Sequence, residues 1–281
     1  MKRIDFMNPA PDCASSNGMR HVQSIRIDTE AGSVQEHSCL VVEESTLQLD
    51  VVNVGSYALT WSATENRGTT FGFNATTGVL ADTPTPEILA LCIGFLVTES
   101  LIENIGDIDA IVVAPASADV VRVWLKDRGR ADDRAPHVPD TLRLWAAELV
   151  THFAEMVSRQ EMFRGAGGAH AAAAFSPEEG MVAIAEDLGR HNALDKVVGK
   201  CCLLGYPTGG CGVLVSSRIN LQMVQKAARA GFELLAGVSA PSSLAIQAAQ
   251  DAGMTLCGFV REGRITTFTH AHRLIRRPTP V

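Results

Sequence analysis

The sequence predicts an α/β fold organised around a partly parallel sheet, and three observations carry that prediction. In the second half, short apolar runs at 213–215, 234–238 and 255–260 alternate with helical stretches at 219–230 and 239–253. The connections between them are short, which favours right-handed βαβ crossovers. The 281 residues are 46% hydrophobic and only 5% aromatic, so a core of Ala, Val, Leu and Ile is expected.

Composition also narrows the function. A formal net charge of −7 argues against a broad nucleic-acid surface. No run of about 18 uninterrupted apolar residues is present, so no membrane span is expected. The N-terminus lacks the apolar core of a secretory signal, which makes the cytoplasm the expected compartment. Seven scattered cysteines suit a reducing environment better than a disulfide framework.

Taken in order, residues 1–37 are polar and irregular and read as a flexible arm with one strand at 24–28. Residues 38–139 read as a smaller N-terminal α+β portion and 140–281 as the α/β core. Leu47, Leu49 and Val51 alternate at period two, and Tyr57, Leu59 and Trp61 do so across a turn at Gly55, which predicts a hairpin. Residues 65–82, rich in Gly, Thr and Asn, read as a long loop. Thr85-Pro86-Glu87 opens a helix with a cap, a first-position proline and an acid matched to the dipole; it runs to about Leu101. Strands are expected at 111–114 and 120–125, and the charged stretch from Lys126 to Asp140 reads as a solvent loop. A helix over 142–156 would carry Leu142, Trp145, Leu149, Phe153 and Met156 on one face. Residues 165–170 read as a flexible turn into a strand at 171–175, and a turn at 177–180 leads to a second strand at 181–185. A helix over 191–204 follows, and the helix over 219–230 stops at Gly231.

The chemistry concentrates in Glu186-Asp187-Leu188-Gly189-Arg190-His191-Asn192-Ala193-Leu194-Asp195-Lys196, a polar cluster at the entrance of a helix. Free first-turn N–H groups and the helix dipole favour an anionic ligand there. Two strand-to-helix turns, Ser216-Ser217-Arg218 and 239–243, must share the carboxyl end of parallel strands, where ligands of open α/β sheets bind. Together they could hold two phosphates of a nucleotide; alternatively the serines cap their helices. His191 and Asp195, four apart, could pair on one helical face. Glu186 and Asp187 could cap that helix or receive the donor edge of a base. His170 follows Gly165, Gly167 and Gly168, which allow close backbone approach to a ligand, or make a tight hairpin with a surface histidine. Cys39, Cys92 and Cys257 sit in apolar contexts, Cys13 lies in the arm, and adjacent Cys201 and Cys202 point apart; Cys211 lies in an accessible-looking loop. No Cys-x-x-Cys and no zinc-type spacing occurs.

These segments resemble a known family. The stretch from Glu186 to Lys196 resembles the E-D-x-G-R-H-N-A-x-D-K signature of the formate dehydrogenase accessory protein (FdhD/NarQ) family. Gly167-Gly168-Ala169-His170-Ala171-Ala172 resembles its G-G-x-H-A-A, and Val215-Ser216-Ser217-Arg218 with Val224-Gln225-Lys226 its V-S-[GS]-R and V-Q-K. Val238-Ser239-Ala240-Pro241-Ser242-Ser243-Leu244-Ala245 resembles V-S-A-P-[ST]-S-L-A, and Thr85-Pro86 with Gly94-Phe95-Leu96 is a weaker match upstream.

The resemblance implies a cytidine-deaminase-like three-layer core with a mixed sheet. It implies a role in maturing molybdenum-dependent formate dehydrogenase, with persulfide sulfur taken from a cysteine desulfurase and passed to the molybdenum bis(molybdopterin guanine dinucleotide) cofactor, the bound cargo. The implied partners are the desulfurase, formate dehydrogenase and a second copy of the chain. Carried over position by position, the cofactor-binding residues are Gly168, His170, Asp187, Arg190, His191, Ser217, Arg218, Ser239 and Ser242, with the stretch Phe259, Val260, Arg261, Glu262, Gly263 and Arg264. A zinc deaminase needs H-x-E and P-C-x-x-C. Here His191-Asn192-Ala193 lacks the glutamate and Ser216-Ser217-Arg218 stands where cysteines would, so no zinc is expected and a deaminase-like hydrolase is the least favoured reading. The chain also departs from the family. The persulfide is expected on a Cys-x-x-Cys in the loop before G-G-x-H, and residues 126–139 contain no cysteine. Arg128, Arg130 and Arg134 could stabilise a thiolate, but none is there. The expectation is a cofactor-binding accessory protein without sulfur transfer through that loop, the alternative being a substitute thiol, Cys211 first.

Overall fold

The computed structural model describes residues 18–62, 72–74, 86–113, 120–126 and 136–276. The chain opens with an antiparallel ribbon, β1 (Met19–Asp28) and β2 (Ser33–Val42), then a hairpin of β3 (Ser45–Val51) and β4 (Gly55–Trp61). After β5 (Gly72–Asn74) come α1 (Glu87–Thr98), β6 (Ile108–Val113) and β7 (Val120–Leu125). Next are β8 (Leu144–Trp145), α2 (Ala146–Ser158), α3 (Glu161–Ala166), β9 (His170–Ser176) and β10 (Gly180–Asp187). The chain continues through α4 (Arg190–Leu203), β11 (Gly212–Val215), α5 (Leu221–Arg229), β12 (Leu234–Gly237) and α6 (Ser243–Asp251). It closes with β13 (Thr255–Arg261), β14 (Arg264–Thr269) and β15 (Leu274–Ile275).

Two sheets carry the fold. The larger has the order β10-β9-β11-β12-β13-β14; β11, β12 and β13 run parallel, and the outer strands antiparallel. Every residue of β11 and β12 is buried, as continuous apolar strands covered on both faces should be. One face packs Ala171, Ala173, Phe175 and Leu214 against Leu149, Phe153 and Met156 of α2. The other packs Ala172, Ala174, Val213 and Leu235 under α4, α5 and α6, through Leu194, Val197, Met223 and Ala249. This is the expected three-layer core with a mixed sheet. The smaller sheet, ordered β4-β3-β7-β6-β5, turns Leu47, Leu49, Val51, Val121 and Val123 inward.

Helix α1 joins the two parts. It is apolar all round, and ten of its residues from Ile88 to Thr98 are buried. It crosses α4 at a pair of glycines. A Cβ on Gly94 would sit 1.7 Å from the Asp195 carbonyl oxygen, and one on Gly199 would sit 1.8 Å from that of Ala90. Only hydrogen fits at this crossing.

A second lock closes the other end of the core. Arg273 is 1% exposed; its guanidinium donates to Glu233 at 3.2 Å, to the Gly253 carbonyl at 2.8 Å and to the Pro139 carbonyl at 2.6 Å. The Glu233 carboxylate also accepts from the backbone N–H groups of Thr141, Leu142 and Gly210, each at 2.8 Å. Residues 139–142 are thus strapped to the amino ends of the parallel strands.

Several expectations are corrected. The described part of the N-terminal arm is a ribbon of two ten-residue strands, and a border at residue 37 would cut β2. Its root is held by Met19, Leu40 and Val42 against Met162 and Ala169. Helix α2 begins at Ala146; Leu142 and Leu144 are buried ahead of it and Trp145 is 44% exposed. Residues 161–166, which the glycines at 165, 167 and 168 disguise, form α3. The expected cap Thr85, residues 1–17 and residues 127–135 of the charged loop lie outside the described residues. Among the described residues no helix is long and apolar enough to cross a membrane.

Candidate functional site

Strand direction decides which residues meet. β11, β12 and β13 are parallel, so their carboxyl ends share one rim. β9 runs antiparallel to β11 with Ala172 opposite Val215, which puts His170 at that rim, and Asp187 of β10 lies opposite His170. The turn after β10 therefore delivers Arg190 and His191 to the same edge.

The two serine turns are bonded to each other. Ile219 donates to the Ala240 carbonyl at 3.3 Å and Ser242 to the Ile219 carbonyl at 2.9 Å. Phe259 of β13 donates to the Ser239 carbonyl at 3.3 Å, and the Ser216 hydroxyl accepts from the Ala171 N–H at 2.8 Å. A Cβ on Gly258 would lie 3.0 Å from the Ser239 carbonyl, so glycine lets β13 approach this turn. His170, Arg190, His191, Ser217, Arg218, Ser239, Ser242 and the start of the 259–264 stretch thus occupy one continuous rim.

The individual roles divide. Ser242 caps α6, accepting from Ala245 N–H at 3.2 Å, and buried Ser217 donates to the Arg218 carbonyl at 3.0 Å. Capping is therefore the occupation of Ser242. Arg218, Arg261 and Arg264 are exposed and Arg190 is half-buried; Arg264 pairs with Glu262, and the other three give the rim a basic character within an acidic chain. Gly168 is exposed beside Val42. Phe259 holds φ +53 with its ring 39% exposed, a costly conformation for an aromatic residue and one that recurs at functional sites. Glu262 and Gly263, with φ of +52 and +75, make the β13–β14 turn.

Both histidines stay neutral. Burial holds His191 below the usual imidazole range, helped by the Arg190 and Lys226 charges and opposed by Asn220 and Glu99. Burial and then Arg190 lower His170, against Asp187. Near pH 7 each ring offers one donor and one acceptor and no charge, leaving anion attraction to the arginines. The His191 Nε2 atom is buried without a hydrogen-bond partner among the described residues.

Four site expectations need correction. Asp187 is 0% exposed and cannot receive a base. Its Oδ1 accepts from Gly189 N–H at 2.8 Å and Asn192 Nδ2 at 3.1 Å; its Oδ2 accepts from Ser62 N–H at 3.0 Å and pairs with Lys196 Nζ at 2.9 Å. Asp195 does not pair with His191. It is buried, bonded to Thr98 at 2.8 Å and Lys226 at 2.9 Å. Val260 is 1% exposed and packs in the α2-side core. Cys211 is 4% exposed, donates to the Pro207 carbonyl at 3.4 Å, and lies just ahead of β11 at the end opposite the rim. Burial, with Glu178, Glu233 and Glu179 adding, pushes its thiol up to about 11. The signature is thus largely internal, and it leaves Arg190 and His191 to face outward. Asn220, the cap of α5 through Met223 N–H at 3.0 Å, also touches the site by its contact with His191. An asparagine ahead of a helical run was the available signal for it.

Comparison with known proteins agrees with this architecture. The model of the FdhD/NarQ family matches residues 125–275. A "Sulfur carrier protein FdhD" of Streptomyces avermitilis is 35% identical over 228 residues, covering 73% of this chain and 78% of that protein. The namesake of Thermoplasma acidophilum is 47% identical over 116 residues, 41% of each chain. That of Saccharolobus solfataricus is 41% identical over 129 residues, 45% of this chain and half of its own length, 50%. A crystal structure from Desulfotalea psychrophila, described as a formate dehydrogenase accessory protein, shares the fold with a TM-score of 0.71 at 23% identity, over 91% of this chain and 98% of its own. The chain belongs to the FdhD/NarQ family.

Proposed function

We propose that this protein is an accessory factor for molybdenum-dependent formate dehydrogenase that holds the guanine-nucleotide ends of the molybdenum bis(molybdopterin guanine dinucleotide) cofactor on its basic rim. The observation that carries this reading is the convergence of His170, Arg190, His191, Ser217, Arg218 and Phe259 at the carboxyl ends of parallel strands. The arginines supply the charge for phosphates. The neutral histidines suit the hydroxyl and N–H groups of ribose or base, and the exposed Phe259 ring offers a face for stacking. The cargo's phosphates need several cations in reach, and Arg190, Arg218 and Arg261 are the residues of the rim that supply them.

Sulfur transfer is the finer question. Curated relatives are named as sulfur carriers, but residues 126–139 hold no cysteine and Cys211 is buried among carboxylates. The reading is therefore a cofactor-binding accessory protein that receives no persulfide on that loop, working with formate dehydrogenase and, as two copies, matching a cargo with two guanine nucleotides. Calorimetric titration with guanosine diphosphate tests the site. Arg218→Ala should weaken binding by about 10- to 100-fold, the worth of a charge-assisted phosphate contact; unchanged affinity removes the assignment. Intact mass after incubation with a cysteine desulfurase and cysteine tests the sulfur part. An adduct of one sulfur atom would show that a substitute thiol serves.

A further inference from the structure

Glu186 and Asp187 are neighbours on β10, so their side chains leave opposite faces of the strand. Asp187 grips the Ser62 end of β4 and the turn that presents Arg190 and His191. Glu186 turns the other way. Its carboxylate accepts from the Met162 N–H at 2.9 Å and the Phe163 N–H at 3.0 Å, the second and third donors of α3. Those donors have no other cap, because Gln160 at the N-cap contributes no side-chain bond. Helix α3 has six residues, too few to hold a helix in water unaided. At its far end Gly167 adopts φ +72 and turns the chain into Gly168 and His170.

We propose that Glu186 is a positioning residue for the rim: by capping α3 it sets where Gly168 and His170 stand, while Asp187 sets Arg190 and His191 from the opposite face. The adjacent carboxylates are a two-sided brace that fixes the distance between the two walls of the site, and Glu186 itself touches no ligand. The proposal rests on the rim being the ligand site.

The test compares Glu186→Gln and Glu186→Ala with the unaltered protein. The glutamine keeps one acceptor and the size of the side chain; the alanine keeps neither. In the ligand-free protein, amide exchange across 162–170 should accelerate in the order Gln then Ala, and the His170 ring resonances should shift. Exchange in β12 should stay as it was. Affinity for guanosine diphosphate, measured well below each variant's melting temperature, should fall by about three- to thirty-fold in Glu186→Ala and by less in Glu186→Gln, the range of a lost helix cap. A variant that melts earlier yet binds guanosine diphosphate as before, with unchanged His170 resonances, would overturn the proposal, because Glu186 would then serve stability alone. If the unaltered protein fails to bind guanosine diphosphate, the nucleotide reading falls; exchange at 167–170 and the His170 resonances then decide on Glu186, and no change in them overturns it.

Discussion

Removing the Asp187 carboxylate should destabilise this protein more than any change on the rim surface. Asp187 and Lys196 are both 0% exposed. Without the carboxylate, the Lys196 ammonium keeps the Ser62 and Glu186 carbonyls, each at 3.1 Å, and Glu87 at 3.4 Å, but loses its contact at 2.9 Å. The N–H groups of Ser62 and Gly189 and the Asn192 amide lose their acceptor as well. Breaking one side of a buried pair costs about 3–5 kcal/mol. Asp187→Asn, which retains one acceptor oxygen, belongs near the lower figure and Asp187→Ala near the upper. At about 2–4 °C per kcal/mol for a chain of this size, the melting temperature should fall by about 6–20 °C. The assay is urea unfolding of Asp187→Asn, Lys196→Met and the double variant. The double variant should cost less than the sum of the singles by about 2 kcal/mol or more, since it leaves no orphaned charge. A loss below about 1 kcal/mol for Asp187→Asn, or simple additivity, would refute the brace.

Other consequences can be checked alongside. Gly94→Ala forces α1 off α4 against the small sheet and should cost more than about 3 kcal/mol or prevent folding, whereas Gly32→Ala, with open space around it and only the strain of its φ of +62 to bear, should cost about 1–2 kcal/mol by urea midpoint. With iodoacetamide at pH 8, half-buried Cys39 should react first among the described cysteines, while Cys211, its thiol near 11, is ionised in only about one molecule in a thousand and should react far more slowly than Cys39; peptide mapping that finds Cys211 labelled first would restore it as a substitute thiol. The lowered His170 and His191 mean that the unfolded chain binds protons near pH 6.5 that the folded chain refuses. Their contribution to stability is complete above that pH and is lost as pH falls through the lower folded values. The decline in urea midpoint between pH 7.5 and 5.5 should therefore be shallower in His191→Gln, and an equal or steeper decline would contradict the assignment.

Much of the core was legible in the sequence because local rules governed it. Short connections between apolar runs required β11, β12 and β13 to be parallel, and parallel strands forced the two serine turns onto one rim. The helix expected at 191–204 is found at Arg190–Leu203. What escaped depends on partners far along the chain. Spacing arithmetic pairs Asp195 with His191 because it sees one helix; the actual partner, Lys226, lies on another helix, 31 residues on. Asp187 finds Ser62 across 125 residues. Cys211 looked accessible because glycines surround it, and it is the Glu233 strap that closes its loop. Helix α3 is too short, and too closely followed by glycines, to declare itself, and its cap, Glu186, lies 24 residues on from Met162. Val260 follows from strand alternation, which turns it inward between Phe259 and Arg261.

Arg273 gives the protein a timetable. Translation delivers Glu233 40 residues before the guanidinium that neutralises it. At about 5–20 residues per second, that is a wait of about 2–8 s. Through that interval the carboxylate has the N–H groups of Thr141, Leu142 and Gly210 as donors, and the strap over 139–142 lacks its guanidinium. The core is thus sealed by a side chain supplied after all of the parallel strands it closes have been made.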